Sequence, residues 1–170
     1  MERVFLIGYM GSGKSKTAEP LAKQLGFLVV DLDRIIEEKA GKSISAIFET
    51  EGQETFREIE KEILHSTLSL KNVVVSTGGG TPCFGDNMNW MNANGITVYL
   101  EANPGLLFHR LAGNKQGRPL IENLSDVELM EQITGHLAIR IPFYRQAKIT
   151  FPAASIDIKA LAAKIASELK

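Results

Sequence analysis

Residues 8 to 15, Gly8-Tyr9-Met10-Gly11-Ser12-Gly13-Lys14-Ser15, satisfy the pattern G-x-x-x-x-G-K-[ST]. Glycines let such a loop curl until its N–H groups point inward at an anion, and a helix starting directly afterwards adds the positive end of its dipole. In this arrangement Lys14 would reach the β and γ phosphates of a nucleoside triphosphate, and the Ser15 hydroxyl would sit on Mg²⁺. The candidates for nucleotide contact are Gly11, Ser12, Gly13, Lys14, Ser15 and Lys16. The loop alone specifies phosphate binding, not what is done with the phosphate.

Acceptor chemistry is suggested further along the chain. Asp31-Leu32-Asp33 ends an apolar run. On an extended backbone, alternation puts both carboxylates on one side, at the edge where the phosphate loop lies. One could hold water on magnesium while the other accepts the proton of a substrate hydroxyl; equally, Asp33 could cap a helix beginning near Arg34. Arg57 lies beside the apolar face of its helical pattern, where it can hold the edge of a cleft or pair with neighbouring glutamates. Arg118 and Arg140 carry the same two possibilities. Together they suit phosphoryl transfer, which needs cations over the transferring group and a forked donor for any substrate carboxylate.

Holding these residues at one place requires a particular order of elements. Short apolar, β-rich runs at Val4 to Ile7, Phe27 to Val30, Val73 to Ser76, Ile96 to Leu100 and Ile149 to Phe151 predict buried strands. Between them, Phe56, Ile59, Ile63, Leu64 and Leu68 share one helical face, as do Ile158, Leu161, Ala162, Ile165 and Leu169. Strand and helix alternate, which predicts right-handed βαβ crossovers and a parallel sheet covered by helices on both faces. Two segments break the rhythm. Ser76-Thr77-Gly78-Gly79-Gly80-Thr81-Pro82 leaves a strand end with three successive glycines, which suggests a ligand crevice. The polar stretch Gly113 to Leu120 reads as a surface loop ahead of a capping box at Ser125 to Glu128.

A chain of 170 residues, 44% hydrophobic and 23% charged, fits one α/β domain with a sizeable core. With 19 basic against 20 acidic residues the net charge is -1, so no overall basic surface advertises nucleic acid or a membrane. The single cysteine, Cys83, excludes a disulfide framework or a zinc site of several thiolates. A cytoplasmic protein is expected, its first apolar run being too short for a membrane span and without a cleavage site. A monomer is expected because no exposed apolar stripe stands out. His65, His109 and His136 share no ligand spacing and are assigned to surfaces or packing, as are Trp90, Met88 and Met91; Cys83 reads as a structural thiol.

These motifs, in this order, resemble the shikimate kinase family: the loop at Gly8 to Ser15, Asp31-x-Asp33, Phe56-Arg57-x-x-Glu60, Gly78-Gly79-Gly80, Arg118-Pro119-Leu120 and Arg140-x-Pro142-x-Tyr144. The resemblance implies a three-layer, nucleoside-monophosphate-kinase-like P-loop kinase fold, with five parallel strands ordered 2-3-1-4-5. It also implies transfer of the ATP γ-phosphoryl to the 3-hydroxyl of shikimate, a step toward chorismate and the aromatic amino acids. Residues 1–170 would form one domain, with the phosphate loop at 8–15, an acceptor-binding region about 33–60 and a mobile lid about 112–124. Asp33 would bind the acceptor hydroxyls and serve as base. Arg57 and Arg140 would grip the shikimate carboxylate, with Gly79 and Gly80 lining the pocket. Arg118 would be the lid arginine, Arg110 the adenine-stacking arginine, and Asp31 would join Ser15 in organising Mg²⁺. The substrates would be shikimate and ATP, with no nucleic-acid or membrane partner.

The sequence departs from the family in three places. Pro20 falls inside the helix after the phosphate loop, where a kink is expected. Lys16-Thr17 follows Ser15 where a hydroxyl and an aliphatic residue are usual, and Phe151 to Ser155 replaces the common adenine-loop turn. The rival readings are a gluconate kinase or nucleoside monophosphate kinase on the same core, and a nucleotide-dependent switch or binding module with no acceptor. An assay with ATP and shikimate separates them.

Overall fold

The computed structural model describes residues 2–115 and 121–169. At its centre runs β1 (Arg3–Ile7), where Val4, Phe5, Leu6 and Ile7 are fully buried. A strand buried on both faces must lie between other strands and beneath covering elements, which is where a continuous apolar run belongs in a parallel sheet. It pairs with β3 (Val73–Ser76) on one side and β4 (Ile96–Glu101) on the other. Outside these lie β2 (Leu28–Asp31), against β3, and β5 (Ile149–Pro152), against β4. All pairings are parallel and the order is β2-β3-β1-β4-β5, as the resemblance implied.

The helices around the sheet are α1 (Lys14–Leu25), α2 (Leu32–Ala40), α3 (Ile44–Ser66), α4 (Asn87–Asn94), α5 (Pro104–Ala112), α6 (Asp126–Tyr144) and α7 (Ile158–Glu168). α1 packs on α7, α2 on α3 and α5 on α6. Buried Leu161, Ala162 and Ile165 line one face of α7, as the sequence pattern predicts. The capping box of α6 forms: the Ser125 hydroxyl accepts from the Glu128 N–H, and the Glu128 carboxylate accepts from the Ser125 N–H at 2.8 Å. No helix among the described residues is long and apolar enough to cross a membrane.

Some boundaries differ from the sequence expectation, each for a local reason. β2 stops at Asp31 instead of running to Asp33, because the Asp31 side chain accepts the Arg34 N–H and caps α2. Asp33 therefore stands in the first turn of a helix, and the alternation argument that paired it with Asp31 does not apply. α3 is broken at Gly52 (φ 83°, ψ 171°), and the second segment carries Arg57 and Glu60. It ends at Ser66, before Leu68, as the Ser66 and Thr67 hydroxyls donate to the carbonyls of Ile63 and Leu64. α1 continues as one element through Pro20 to Leu25; Lys16, whose carbonyl loses its helical donor there, is exposed to water, as is Pro20.

In a parallel sheet every strand ends at the same edge, so the segments after β1 and β3 leave side by side. Leu6 is opposite Ser76, and Thr77 extends the pairing, its N–H and hydroxyl both donating to the Leu6 carbonyl. The chain leaves β1 at Gly8 with φ of 141°, and a Cβ there would lie 2.9 Å from the Leu100 carbonyl oxygen. Gly8→Ala is expected to cost about 1–3 kcal/mol of stability, read as a lowered denaturant midpoint with an unchanged slope.

Candidate active site

The phosphate loop is shaped by three glycines at positive φ: Gly8, Gly11 (80°) and Gly13 (99°). Gly13 is the N-cap of α1 and offers no side-chain hydrogen bond, and no acidic residue stands in the first turn. The opening N–H groups of α1 thus keep their capacity for an anion supplied from outside. Lys14 is only 8% exposed, and its Nζ donates to the carbonyls of Gly8 at 2.7 Å and Tyr9 at 3.0 Å, which holds the ammonium within the bowl of the loop. At its rim the Ser15 hydroxyl donates to Asp31 Oδ2 at 2.9 Å and lies 3.3 Å from the Ser76 hydroxyl. The expected grouping of Lys14, Ser15 and Asp31 is therefore present.

Beside the loop, the glycine run after β3 forms a floor without side chains. A Cβ at Gly78 would lie 2.9 Å from Glu60 Oε1 and 3.1 Å from Asp33 Oδ1. One at Gly79 would meet the Met10 N–H nitrogen at 3.3 Å and an Arg140 terminal nitrogen at 3.6 Å; one at Gly80 would overlap the Arg57 guanidinium at 2.5 Å. Asp33, Arg57, Arg140 and the phosphate loop thus converge on three consecutive residues. Burial pushes the Asp33 carboxyl up to about 6, helped by the negative charges of Asp31, Glu60 and Glu37 and opposed by Lys14. A carboxylate at this level is a stronger proton acceptor than an ordinary aspartate.

Arg57 is held from several sides. Its Nη1 donates to Glu60 Oε2 at 2.6 Å, and its guanidinium lies 3.8 Å from the centre of the Phe84 ring and 4.9 Å from that of Phe56. Its Nε is buried and has no partner among the described residues. Glu60 is 1% exposed and also accepts from the Thr81 hydroxyl at 2.5 Å. Glu60, Thr81 and Tyr144, whose hydroxyl donates to the Gly79 carbonyl at 2.6 Å, were not singled out from the sequence as site residues. The signal for Glu60 lay in its i,i+3 spacing from Arg57 on a helix. Thr81 carried no signal beyond its place after the glycines.

On the far side of the loop, Arg110 donates to the carbonyls of Gly11 at 3.0 Å, Ser12 at 3.2 Å and Ala153 at 2.7 Å, tying the phosphate loop to the segment after β5. Lys16 is exposed on the first turn of α1. Arg118 lies outside the described residues, as does part of the expected lid at about 112–124. Cys83 is half-buried, and burial pushes its thiol up to about 11, the direction of an inert thiol. His65 stacks on Trp90 at 4.3 Å, in keeping with a packing role.

A family model described as shikimate kinase matches residues 10–170. The shikimate kinase of Phocaeicola vulgatus is 47% identical over 159 residues, covering 94% of this chain and 91% of that protein. The crystal structure of shikimate kinase from Bacteroides thetaiotaomicron has a TM-score of 0.91 at 41% identity, covering 99% of this chain and 98% of that one. The shikimate kinase of Acinetobacter baumannii, in complex with shikimate, has a TM-score of 0.87 at 33% identity over 99% of this chain and 93% of its own. On the fold, the arrangement of the site and these likenesses, the chain belongs to the shikimate kinase family.

Proposed function

We propose that this chain transfers the γ-phosphoryl group of ATP to the 3-hydroxyl of shikimate, giving shikimate 3-phosphate and ADP, in a cytoplasmic route to aromatic amino acids. The observation that carries this reading is the Gly78-Gly79-Gly80 floor, which touches Asp33, the phosphate loop, Arg140 and Arg57 in turn. A small ring bearing hydroxyls and one carboxylate suits such a surface. The two arginines take the carboxylate, and the exposed backbone lets the hydroxyls approach Asp33 and the phosphate loop together. The family relatives, one of them described with shikimate bound, favour this acceptor over gluconate or a nucleotide.

In the transfer, the acceptor oxygen forms a bond to the γ-phosphorus as its proton passes to the Asp33 carboxylate. The bond from the γ-phosphorus to the bridging oxygen breaks, and its electron pair leaves with ADP. Lys14 and the N–H groups at the start of α1 hold the charge that spreads over the phosphate oxygens. Arg118 is the cation we assign to the lid. Ser15 and Asp31 suit magnesium, offering two hard oxygens 2.9 Å apart at the phosphate end; such an ion takes one or two protein oxygens beside phosphates and water. When bound, it neutralises charge on the β and γ phosphate oxygens.

The reading is tested by offering shikimate, gluconate and nucleoside monophosphates to the purified protein with ATP and following ADP release. Shikimate alone is expected to be phosphorylated; transfer to gluconate or a nucleotide and none to shikimate overturns the assignment. Lys14→Ala should lower kcat by about 10³-fold or more while the protein stays folded. Arg57→Ala should raise the shikimate KM about 10- to 100-fold and leave the ATP KM nearly unchanged, from the loss of a charged hydrogen bond of about 1.5–3 kcal/mol.

Asp33 makes a prediction with opposite signs in two measurements. Its folded-state pKa, about 6, lies above the ordinary 3.8, so the charged carboxylate costs stability above pH 6 and that cost fades as pH falls through 6. Asp33→Asn should therefore lose most of its turnover yet unfold at a higher temperature than wild type at pH 7.5. The gap in melting temperature should narrow between pH 7 and pH 5, as the wild-type carboxyl takes up its proton. Wild-type kcat/KM should fall on the acid side of pH 6.

A further inference from the structure

Tyr9 occupies one of the free positions of the phosphate-loop pattern, where nothing about phosphate binding requires an aromatic residue. Yet its side chain is 1% exposed and sits beneath the acceptor side of the site. The Arg140 guanidinium carbon lies over the Tyr9 ring, 5.4 Å from its centre, and the Tyr9 hydroxyl is 3.0 Å from His136 Nδ1. His136 and Arg140 are four residues apart on α6 and so share one face of that helix. Burial raises the Tyr9 pKa, and burial together with the Arg140 charge lowers that of His136, so a protonated phenol meets a neutral imidazole able to accept from it. The backbone of the same residue serves the other substrate, its carbonyl receiving the Lys14 ammonium at 3.0 Å and the Ser12 N–H at 3.1 Å.

We propose that Tyr9 is a positioning residue for the acceptor: its ring, fixed in orientation by the hydrogen bond to His136, supports Arg140 where it meets the substrate carboxylate. A guanidinium beside an electron-rich ring face is held without loss of its hydrogen-bonding edge. Tyr144, on the same helix as Arg140, donates to the Gly79 carbonyl at 2.6 Å, and the Arg140 charge opposes the burial that raises the Tyr144 pKa. Tyr9 thereby makes the acceptor carboxylate contact depend on the conformation of the nucleotide loop. This proposal rests on the reading of Arg140 as a carboxylate ligand.

The test measures steady-state constants for Tyr9→Leu, Tyr9→Phe, His136→Ala, the Tyr9→Phe/His136→Ala double variant and Arg140→Ala, with shikimate and with its uncharged methyl ester. Tyr9→Leu should raise the shikimate KM about five- to tenfold with the ATP KM changed less than about twofold, and the penalty should vanish on the ester. Tyr9→Phe keeps the ring and should stay within about threefold of wild type. The double variant should be no worse than His136→Ala alone, because both remove one hydrogen bond. An ATP KM rising in step with that of shikimate, a penalty persisting on the ester, or additive effects in the double variant overturns the proposal. If Arg140→Ala raises the shikimate KM and Tyr9→Leu does not, the positioning role fails alone. If Arg140→Ala leaves that KM unchanged, the carboxylate reading fails and takes this proposal with it.

Discussion

The parallel pairing of β1 with β3 is the constraint on which the site depends. With Leu6 opposite Ser76 and Thr77 bonded to the Leu6 carbonyl, the segments that follow the two strands are fixed side by side. One becomes the phosphate loop and the other the glycine floor. From β1 the chain crosses to the β2 side, and from β3 it crosses back past β1 to β4, so the two loops part at the point where the winding reverses. A crevice must open there, and open α/β sheets bind ligands in such crevices. A register slip of one residue would misfit every packed side chain of β1 and displace the two loops relative to each other. The burial of Val4 to Ile7 therefore protects the geometry of the site as well as the stability of the fold.

Within the crevice, charge is arranged by buried partners that themselves touch no phosphate. Glu60 at 1% exposure can be tolerated only because Arg57 and Thr81 satisfy it on both carboxylate oxygens. In return it fixes the Arg57 guanidinium between Phe84 and the glycine floor. The break at Gly52 makes the segment that carries Arg57 and Glu60 a helical piece of its own, separate from the one before it. The absence of Cβ atoms matters most at Gly80, where a side chain would overlap the guanidinium. Glycine is required there by close approach, whereas Gly8 and Gly13 are required by positive φ.

Much of this was legible in the sequence because the signals were local. The apolar runs marked all five strands to within one or two residues, and the phosphate loop announced both its own place and the start of α1. Asp33 stands at the carboxyl edge for a different reason from strand alternation: the two-residue spacing is a cap followed by a helical turn. Aspartate favours helix caps, and Asp31 here ends the strand and caps the helix at once. Glu60 stood in a family motif but gained its meaning only from burial, which one-dimensional patterns do not report for a charged residue flanked by other charges. Tyr9 and His136 are separated by 127 positions, and no periodicity could have joined them.

At Asp33, on the proposed acceptor side, raised proton affinity comes at a cost in stability. Burial and three nearby carboxylates lift its pKa, and each of those carboxylates is already committed elsewhere. Asp31 serves the phosphate end with Ser15, Glu60 holds Arg57, and Glu37 accepts the Ile44 N–H that starts α3. Moving any of them to relieve repulsion would loosen a neighbouring part of the site. Lys14 is the only one of the named influences that pulls the pKa down, and it belongs to the phosphate loop. The proton affinity of the acceptor-side carboxylate is thus set jointly by the nucleotide side. An ammonium drawn from Asp33 toward phosphate oxygens would weaken that restraint and raise the Asp33 pKa further, the direction its proposed role as base requires. Burial first, and the neighbouring carboxylates second, raise the proton affinity of Asp33 at a cost in stability, which is what its proposed role as base requires near neutral pH.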